Sequence, residues 1–533
     1  MNLKSALLFV SLLPVLGSCA SAQTPPKDAA VPVANQPAPA QSRMGMNLAG
    51  PADWNTELPF NDVFHFSRYW ISQRRGEGWG KGPKLSLDEH GWVKALEPNC
   101  FAETPMLTDM RGQFPHGQYV CLYEGKGEVK INNASKIVSS APGRIVFEPQ
   151  AESGIFLQIL STEPTDYIRN IRVLMPGTEK TVQDNPFNPV FLERWKGVNT
   201  LRFMDWMQTN GSQVKEWNER PKTDDATWSH KGIPLEIMID LCNKQKQNGW
   251  FCLPVRASDD YVLQFATMLK ARLKPSLKAY IEYSNEVWNG GFEQCHYVGE
   301  QGMALKLGEK PWEAGWHYTG RRSKEIFAVV DRAFGGREAA SKRIVRVIAT
   351  QGANAYVSEQ ILGFEDTGKN ADALAVAPYF GLMSPSRAAD PNSKVPAETV
   401  ATWTTTQVLD YLENVSIPET IKWNKEQKAI ADKYGLKLIA YEGGQHAVGT
   451  AGGENNEDLT KLFLAANRDE RMGQLYTKYL DTWRDCGGDV FCNFSSVSGW
   501  SKWGSWGLLE NQNDDTAKYR AVMNWNAANT LKN

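Results

Sequence analysis

The chain has no excess of charge of either sign: Lys plus Arg number 58 and Asp plus Glu 60, a formal net charge of -2. That leaves no electrostatic reason to propose a nucleic acid as partner and favours a neutral ligand. Histidine is scarce, seven in all and scattered, and no CxxC or His-rich spacing is present. The residues therefore argue for no metal site, and no cofactor is expected. The first strand-to-helix turn carries no glycine-rich phosphate loop, and there is no serine nucleophile elbow. The apolar stretch near the start is too short for a stable membrane span.

What is present is ample material for a globular fold: 533 residues, 42% hydrophobic and 22% charged, long enough for two or three domains. Tryptophan is abundant at 19 residues, which suggests exposed stacking surfaces as well as core packing. The opening "MNLKSALLFVSLLPVLGSC", residues 1–19, has one Lys, a short apolar run and then small residues, the pattern of a secretory signal. Its end, Leu16-Gly17-Ser18-Cys19, resembles a bacterial lipobox, which makes Cys19 the lipid-modified first residue of the mature chain; ordinary cleavage near Ala20 to Ala22 is the alternative. Ala at position 20 favours the outer membrane by that analogy, so a cell-envelope lipoprotein is expected, touching membrane only through its N-terminal anchor. Residues 20–43, rich in Pro and Ala and without aromatics, read as an extended tether. Without Cys19, seven cysteines remain, and sequence proximity suggests Cys100 with Cys121, Cys242 with Cys252 and Cys486 with Cys492, leaving Cys295 over.

From about residue 185 one pattern recurs: an amphipathic helix, a Gly or Pro stop, then a short apolar strand ending in polar or aromatic residues. Leu235, Met238, Leu241 and Cys242 share a helical face, Asn248-Gly249 ends that helix, and "WFCLPV" follows. Val262, Phe265, Ala266, Leu269 and Leu273 form the next stripe before "KAYIEYS", and Gly435 closes a third helix before "LKLIAYEGG". Strand candidates fall at 43–49, 199–206, 250–255, 278–284, 344–350, 373–379, 436–442 and 489–495. Eight parallel strands alternating with helices predict an α/β protein with a (β/α)8 TIM barrel, an open doubly wound sheet being the rival. Between residues 85 and 178 short alternating runs such as "GQYVCLYEG" and "GIFLQIL" replace the helices. They predict a β-sandwich, a binding or packing module, inserted between two barrel segments, 44–84 and 179–533.

Barrel enzymes gather their reactive groups at the C-terminal ends of the strands. Glu286 falls just past the fourth strand in "AYIEYSNEVWNGG" and Glu442 ends the seventh in "IAYEGG". A single glutamate at a strand end is most often a solvated charge. Two of them, facing each other across a barrel mouth, suit glycosidic bond cleavage, with one carboxyl group as proton donor and the other as nucleophile.

"EYSNEVWN" is similar to the Asn-Glu signature of clan A glycoside hydrolases, which include the family 5 cellulases and mannanases, and "IAYEGG" resembles their nucleophile segment. The resemblance implies a retaining β-glycoside hydrolase with Glu286 as acid/base, Glu442 as nucleophile, Asn285 on the sugar 2-hydroxyl, Arg202 orienting the nucleophile and Tyr379 donating to it. The third strand, in "CLPVRASDD", and the sixth lack histidines common in family 5, so the family's substrates do not carry over. "YSNEVWNGG" and "YEGGQH" also look like secreted bacterial proteins labelled cellulose-binding.

Pyranose rings stack on indole, which makes Trp288 beside Glu286 and Trp500, Trp503 and Trp506 in "SGWSKWGSWGLLE" candidate sugar contacts. His446 follows the nucleophile segment and is a further candidate. Asp205, near Arg202, reads by default as its ion-pair partner. The expected partner is a polysaccharide or oligosaccharide. A non-catalytic polysaccharide-binding lipoprotein is the competing reading, although binding alone needs no pair of facing acids.

Overall fold

In the computed structural model, described here for residues 42–150, 152–393 and 395–529, eight parallel strands close into a barrel. They are Met44–Asn47, Thr200–Arg202, Asn248–Leu253, Ala279–Tyr283, Ile344–Ala349, Ala373–Val376, Lys437–Ala440 and Phe491–Asn493. Closure comes where the first strand pairs with both the second, Gly45 opposite Thr200, and the eighth, Gly45 opposite Cys492. Only glycine fits there, since a Cβ on Gly45 would lie 2.4 Å from Cys492 Sγ.

Strand alternation divides the side chains into two layers. Trp250, Cys252, Tyr280, Val347, Ile439, Tyr441 and Cys492 fill the barrel interior. Phe251, Leu253 and Ile281 face outward and join the helices in a larger cluster. The helix Asp259–Arg272 illustrates the construction. Ser258 caps it by accepting from Tyr261 N, Asp259 and Asp260 sit in the first turn, and Tyr261, Val262, Phe265, Ala266 and Leu269 are its buried face. The helix Leu235–Gln245 stops at Lys246 in a left-handed conformation (φ 58°), and Asn248-Gly249 already belong to the strand instead of ending the helix.

The antiparallel region holds two four-stranded sheets. One contains Ile71–Arg74, Cys100–Met106, Ile155–Thr162 and Gly127–Ile131; the other contains Arg169–Leu174, Tyr119–Glu124, Arg144–Pro149 and Ala134–Ala141. Ala102, Leu157, Ile159, Tyr119, Phe147 and Val173 share the core associated with them. Its first strand begins at Ile71, ahead of residue 85. That segment has a weak apolar alternation and takes its place by antiparallel pairing with Cys100–Glu103.

The three sequence-suggested disulfides are not formed; all seven cysteines from Cys100 to Cys492 are free. Cys100 and Cys121 lie in different sheets. Cys242 packs on the helix side of the barrel wall while Cys252 points inside, where its thiol donates to Glu282 (3.3 Å). Cys492 is interior, whereas Cys486 caps a helix and donates to Trp483 O. The signal segment, Cys19 and the tether up to residue 41 lie outside the described residues. Among the described residues no helix is long and apolar enough to cross a membrane.

Candidate active site

Arg202 ends the second strand with its side chain fully enclosed. All five guanidinium N–H groups find acceptors. Nε and Nη2 hold Glu282 at 3.0–3.1 Å, Nη1 donates to Asn47 Oδ1 (2.9 Å) and Glu442 Oε1 (2.8 Å), and Nη2 also donates to Asn285 Oδ1 (2.8 Å). Tyr441 and Trp250 present ring faces to the same cation at 5.0 and 5.7 Å. Burial works against its charge, and the surrounding carboxylates outweigh that, holding Arg202 above its ordinary range. Its ion-pair partners are Glu282 and Glu442. Asp205, the default partner from sequence, forms no ion pair among the described residues, because the guanidinium points into the barrel and is saturated there.

Glu442, two residues beyond the seventh strand, is nearly buried. Its Oε1 accepts from Arg202 and its Oε2 from the Tyr379 hydroxyl (3.0 Å). A carboxylate receiving a guanidinium and a phenol is oriented at both oxygens. Glu286 has a different environment. Its Oε1 accepts from Tyr441 OH (2.9 Å) and its Oε2 from Asn289 Nδ2 (2.9 Å), with no cation in direct contact among the described residues. Burial first, and then the negative charge of Glu442, push its carboxyl up to about 7, with the two hydrogen bonds opposing. The charge of Glu442 is therefore felt at the Glu286 carboxyl.

The backbone that delivers Glu286 is unusual. Ser284 and Glu286 both lie in the left-handed region, at φ 59° and 42°. Non-glycine residues are held there only when their surroundings over-determine them, a condition concentrated at functional sites. Between them Asn285 is locked by Arg202 on Oδ1 and donates Nδ2 to Asn210 Oδ1 (3.0 Å).

At the same end of the barrel a cavity of about 690 Å³ is lined by Trp54, Asp109, Arg111, Asp205, Trp503 and Trp506, among others. Trp503 is 65% exposed and offers its ring to this space. Trp506 joins the cavity to the acids: its ring lies 4.6 Å from His446 and 6.2 Å from Tyr379, the residue that donates to Glu442. Burial holds His446 down at about 4, so it stands neutral between the two rings. Asp205 lines the cavity, its carboxyl pushed up to about 7 by burial and by Glu442. Trp288 packs against the interior layer, its indole N–H buried without a partner among the described residues.

Trp500 is not available for sugar. It is 3% exposed, donates to Gly507 O, and is capped by Lys518 Nζ at 4.0 Å from the ring centre. Gln445 and Trp206 are likewise committed to the interior, donating to Ser505 O and Ala49 O. Sequence reading missed Asn47, Glu282, Tyr441, Asn210 and Trp54. Alternation would have placed Glu282 and Tyr280 on one face of "AYIEYS", inside the barrel, which is a signal for a buried countercharge.

No family model matches the chain, and no curated relative matches it. Solved structures similar to it include a GH5 family lichenase from Caldicellulosiruptor sp. F32, at 13% identity and a TM-score of 0.37, covering 63% of this chain and 83% of the lichenase. Another is the GH51 arabinofuranosidase from Xanthomonas axonopodis pv. citri, at 12% identity and a TM-score of 0.37, covering 64% of this chain and 66% of that enzyme. A third is the GH5-4 broad specificity endoglucanase from Clostrdium longisporum, at 11% identity and a TM-score of 0.34, covering 66% and 89%. Likeness at this level carries no argument about activity, and the closed barrel and its acid pair stand on their own geometry.

Proposed function

We propose that the chain is a retaining β-glycoside hydrolase acting on a polysaccharide or oligosaccharide. The observation that carries this reading is the unequal treatment of two neighbouring acids: Glu442 is clamped by Arg202 and Tyr379, whereas Glu286 accepts from the neutral donors Tyr441 and Asn289 and has a carboxyl pushed up to about 7. One is held by a guanidinium and a phenol and the other keeps a proton near neutral pH, the division that double displacement requires.

In the first step a Glu442 oxygen attacks the anomeric carbon while the glycosidic C–O bond breaks and the departing oxygen takes the Glu286 proton. A glycosyl ester on Glu442 and an ionised Glu286 result. In the second step Glu286 removes a proton from water, the water oxygen bonds to the anomeric carbon, and the ester opens to restore Glu442. Arg202 stabilises the carboxylate before and after the ester exists, and Tyr379 fixes which oxygen attacks. Asn285, held on Oδ1, has an amide N–H left over for a sugar hydroxyl. Trp503 and Trp506 supply faces for neighbouring sugar rings. The N-terminal segment with Cys19 fits a lipid-anchored protein of the bacterial cell envelope.

The test is product release from glucans, mannans, xylans and pectic glycans by the wild type and by Glu442→Gln. Release by the wild type alone supports the reading. Equal release by both proteins removes Glu442 from the mechanism.

A further inference from the structure

One surface away from the acid pair has the construction of a binding site. On the outer face of the sheet formed by Ile71–Arg74, Cys100–Met106, Ile155–Thr162 and Gly127–Ile131, the alternation that sends Ala102 and Leu157 to the core turns Phe101, Glu103, Phe156 and Gln158 outward. Such a face ordinarily carries solvated side chains. Here Gln73, Glu103 and Gln158 are each more than nine-tenths buried at the floor of a cavity of about 510 Å³. The Glu103 carboxylate organises the floor, accepting from Gln73 (3.1 Å), Gln158 (2.8 Å) and Asn132 (3.4 Å) on three neighbouring segments. Gln158 Oε1 and Asn132 Oδ1 are left without protein donors among the described residues.

The wall is the segment "RRGEGWGKG", residues 74–82. It folds back onto the sheet through Gly82 N to Ser72 O and Gly80 N to Gln73 Oε1 (2.8 Å). Gly76 and Gly80 adopt left-handed φ of 82° and 73°, and a Cβ on Gly82 would fall 2.2 Å from Ser72 Oγ, so the close return depends on glycine. The segment carries a half-exposed Trp79 to the cavity rim, edge-on to Phe156 at 6.2 Å, and Arg75 covers the Phe101 ring. The charges balance, Arg74 and Arg75 against Glu77 and Glu103, with Arg74 paired to Glu77. Aromatic faces above a rigid row of amides, with no net charge, match the apolar C–H face and the hydroxyl edge of a neutral sugar ring.

We propose that this face is a second saccharide-binding site, separate from the acid pair, for a neutral polysaccharide chain. It goes beyond the hydrolase reading and does not require it. The test is native affinity electrophoresis of full-length Glu442→Gln protein in gels containing hydroxyethyl cellulose, mixed-linkage β-glucan, galactomannan or arabinoxylan. The double variants Glu442→Gln/Trp79→Ala and Glu442→Gln/Asn132→Ala run alongside; both added positions are accessible, so folding is little disturbed. At least one polysaccharide retards the parent, and loss of Trp79 weakens that retention about tenfold. Retardation that both double variants share unchanged, or no retardation in any gel, overturns the proposal. Trp79-dependent retention by a protein whose wild type releases no product would defeat the hydrolase reading and leave this one standing.

Discussion

Arg202 Nη1 lies 2.8 Å from Glu442 Oε1, and the same guanidinium holds Glu282 and Asn285, so one cation fixes groups from two barrel strands, the fourth and the seventh. Removing it leaves two buried carboxylates without a countercharge. Arg202→Met should destabilise the fold by roughly 3 kcal/mol or more and abolish turnover. A chemical melt against wild type, with hydrolysis measured on the folded fraction, checks both; an unchanged midpoint contradicts the role given to Arg202.

Tyr379 contributes a single hydrogen bond to Glu442 Oε2. Tyr379→Phe keeps the ring against His446 and Trp506 and deletes only the donor. A hydrogen bond to a charged group is worth about 1.5 kcal/mol or more, so kcat/KM should fall about tenfold or more with stability nearly unchanged. Full activity in this variant would place the phenol outside the mechanism.

The barrel was legible in sequence because each strand is a short apolar run between helix stops; seven of the eight segments named from sequence contain their strands, and the third, 250–255, begins two residues inside the strand Asn248–Leu253. Glu286 and Glu442 stood out because they fall just beyond strand ends, whereas Arg202 and Tyr379 were named only through the resemblance to clan A enzymes. Asn47, Tyr441 and Asn210 escaped because their roles are set by partners far away in the chain, which strand alternation alone does not supply. The cysteine pairing failed because closeness in sequence says nothing about which side of a barrel wall each thiol occupies. Trp500 and Trp503 share one glycine-rich run yet have opposite fates: Trp500 is buried against Lys518 and Arg468 from distant helices, and Trp503 is 65% exposed.

Proton donation by Glu286 has a pH signature. Its carboxyl is pushed up to about 7, and the protonated form is the active one, so kcat/KM should fall as pH rises through about 7. Glu286→Gln should lose that limb and slow hydrolysis of substrates with poor leaving groups by about 10²–10⁴-fold. Azide should rescue release of an activated leaving group. A basic limb that persists in Glu286→Gln assigns the titration to another group.

Glu57 supplies a stability test away from the acid pair. It is buried, accepts from Trp195 Nε1 (2.8 Å) and Ala49 N, and burial pushes it up to about 8 from an ordinary 4.5. Between those values the folded state binds more protons than the unfolded one, so this group's contribution is full below 4.5 and is lost as pH rises through about 8. Glu57→Gln should flatten that fall in urea titrations from pH 5 to pH 8. An identical slope in both proteins contradicts the assignment.

A nucleophilic Glu442 becomes covalently glycosylated during turnover. This is tested by incubating the wild type with 2-deoxy-2-fluoro glycosides bearing activated leaving groups, chosen from the sugars released in the polysaccharide screen, and mapping the adduct by peptide mass spectrometry. A single glycosyl ester on the peptide containing Glu442, absent in Glu442→Gln, is expected. An adduct on Glu286, or none from a glycoside whose unfluorinated parent is hydrolysed, would contradict it.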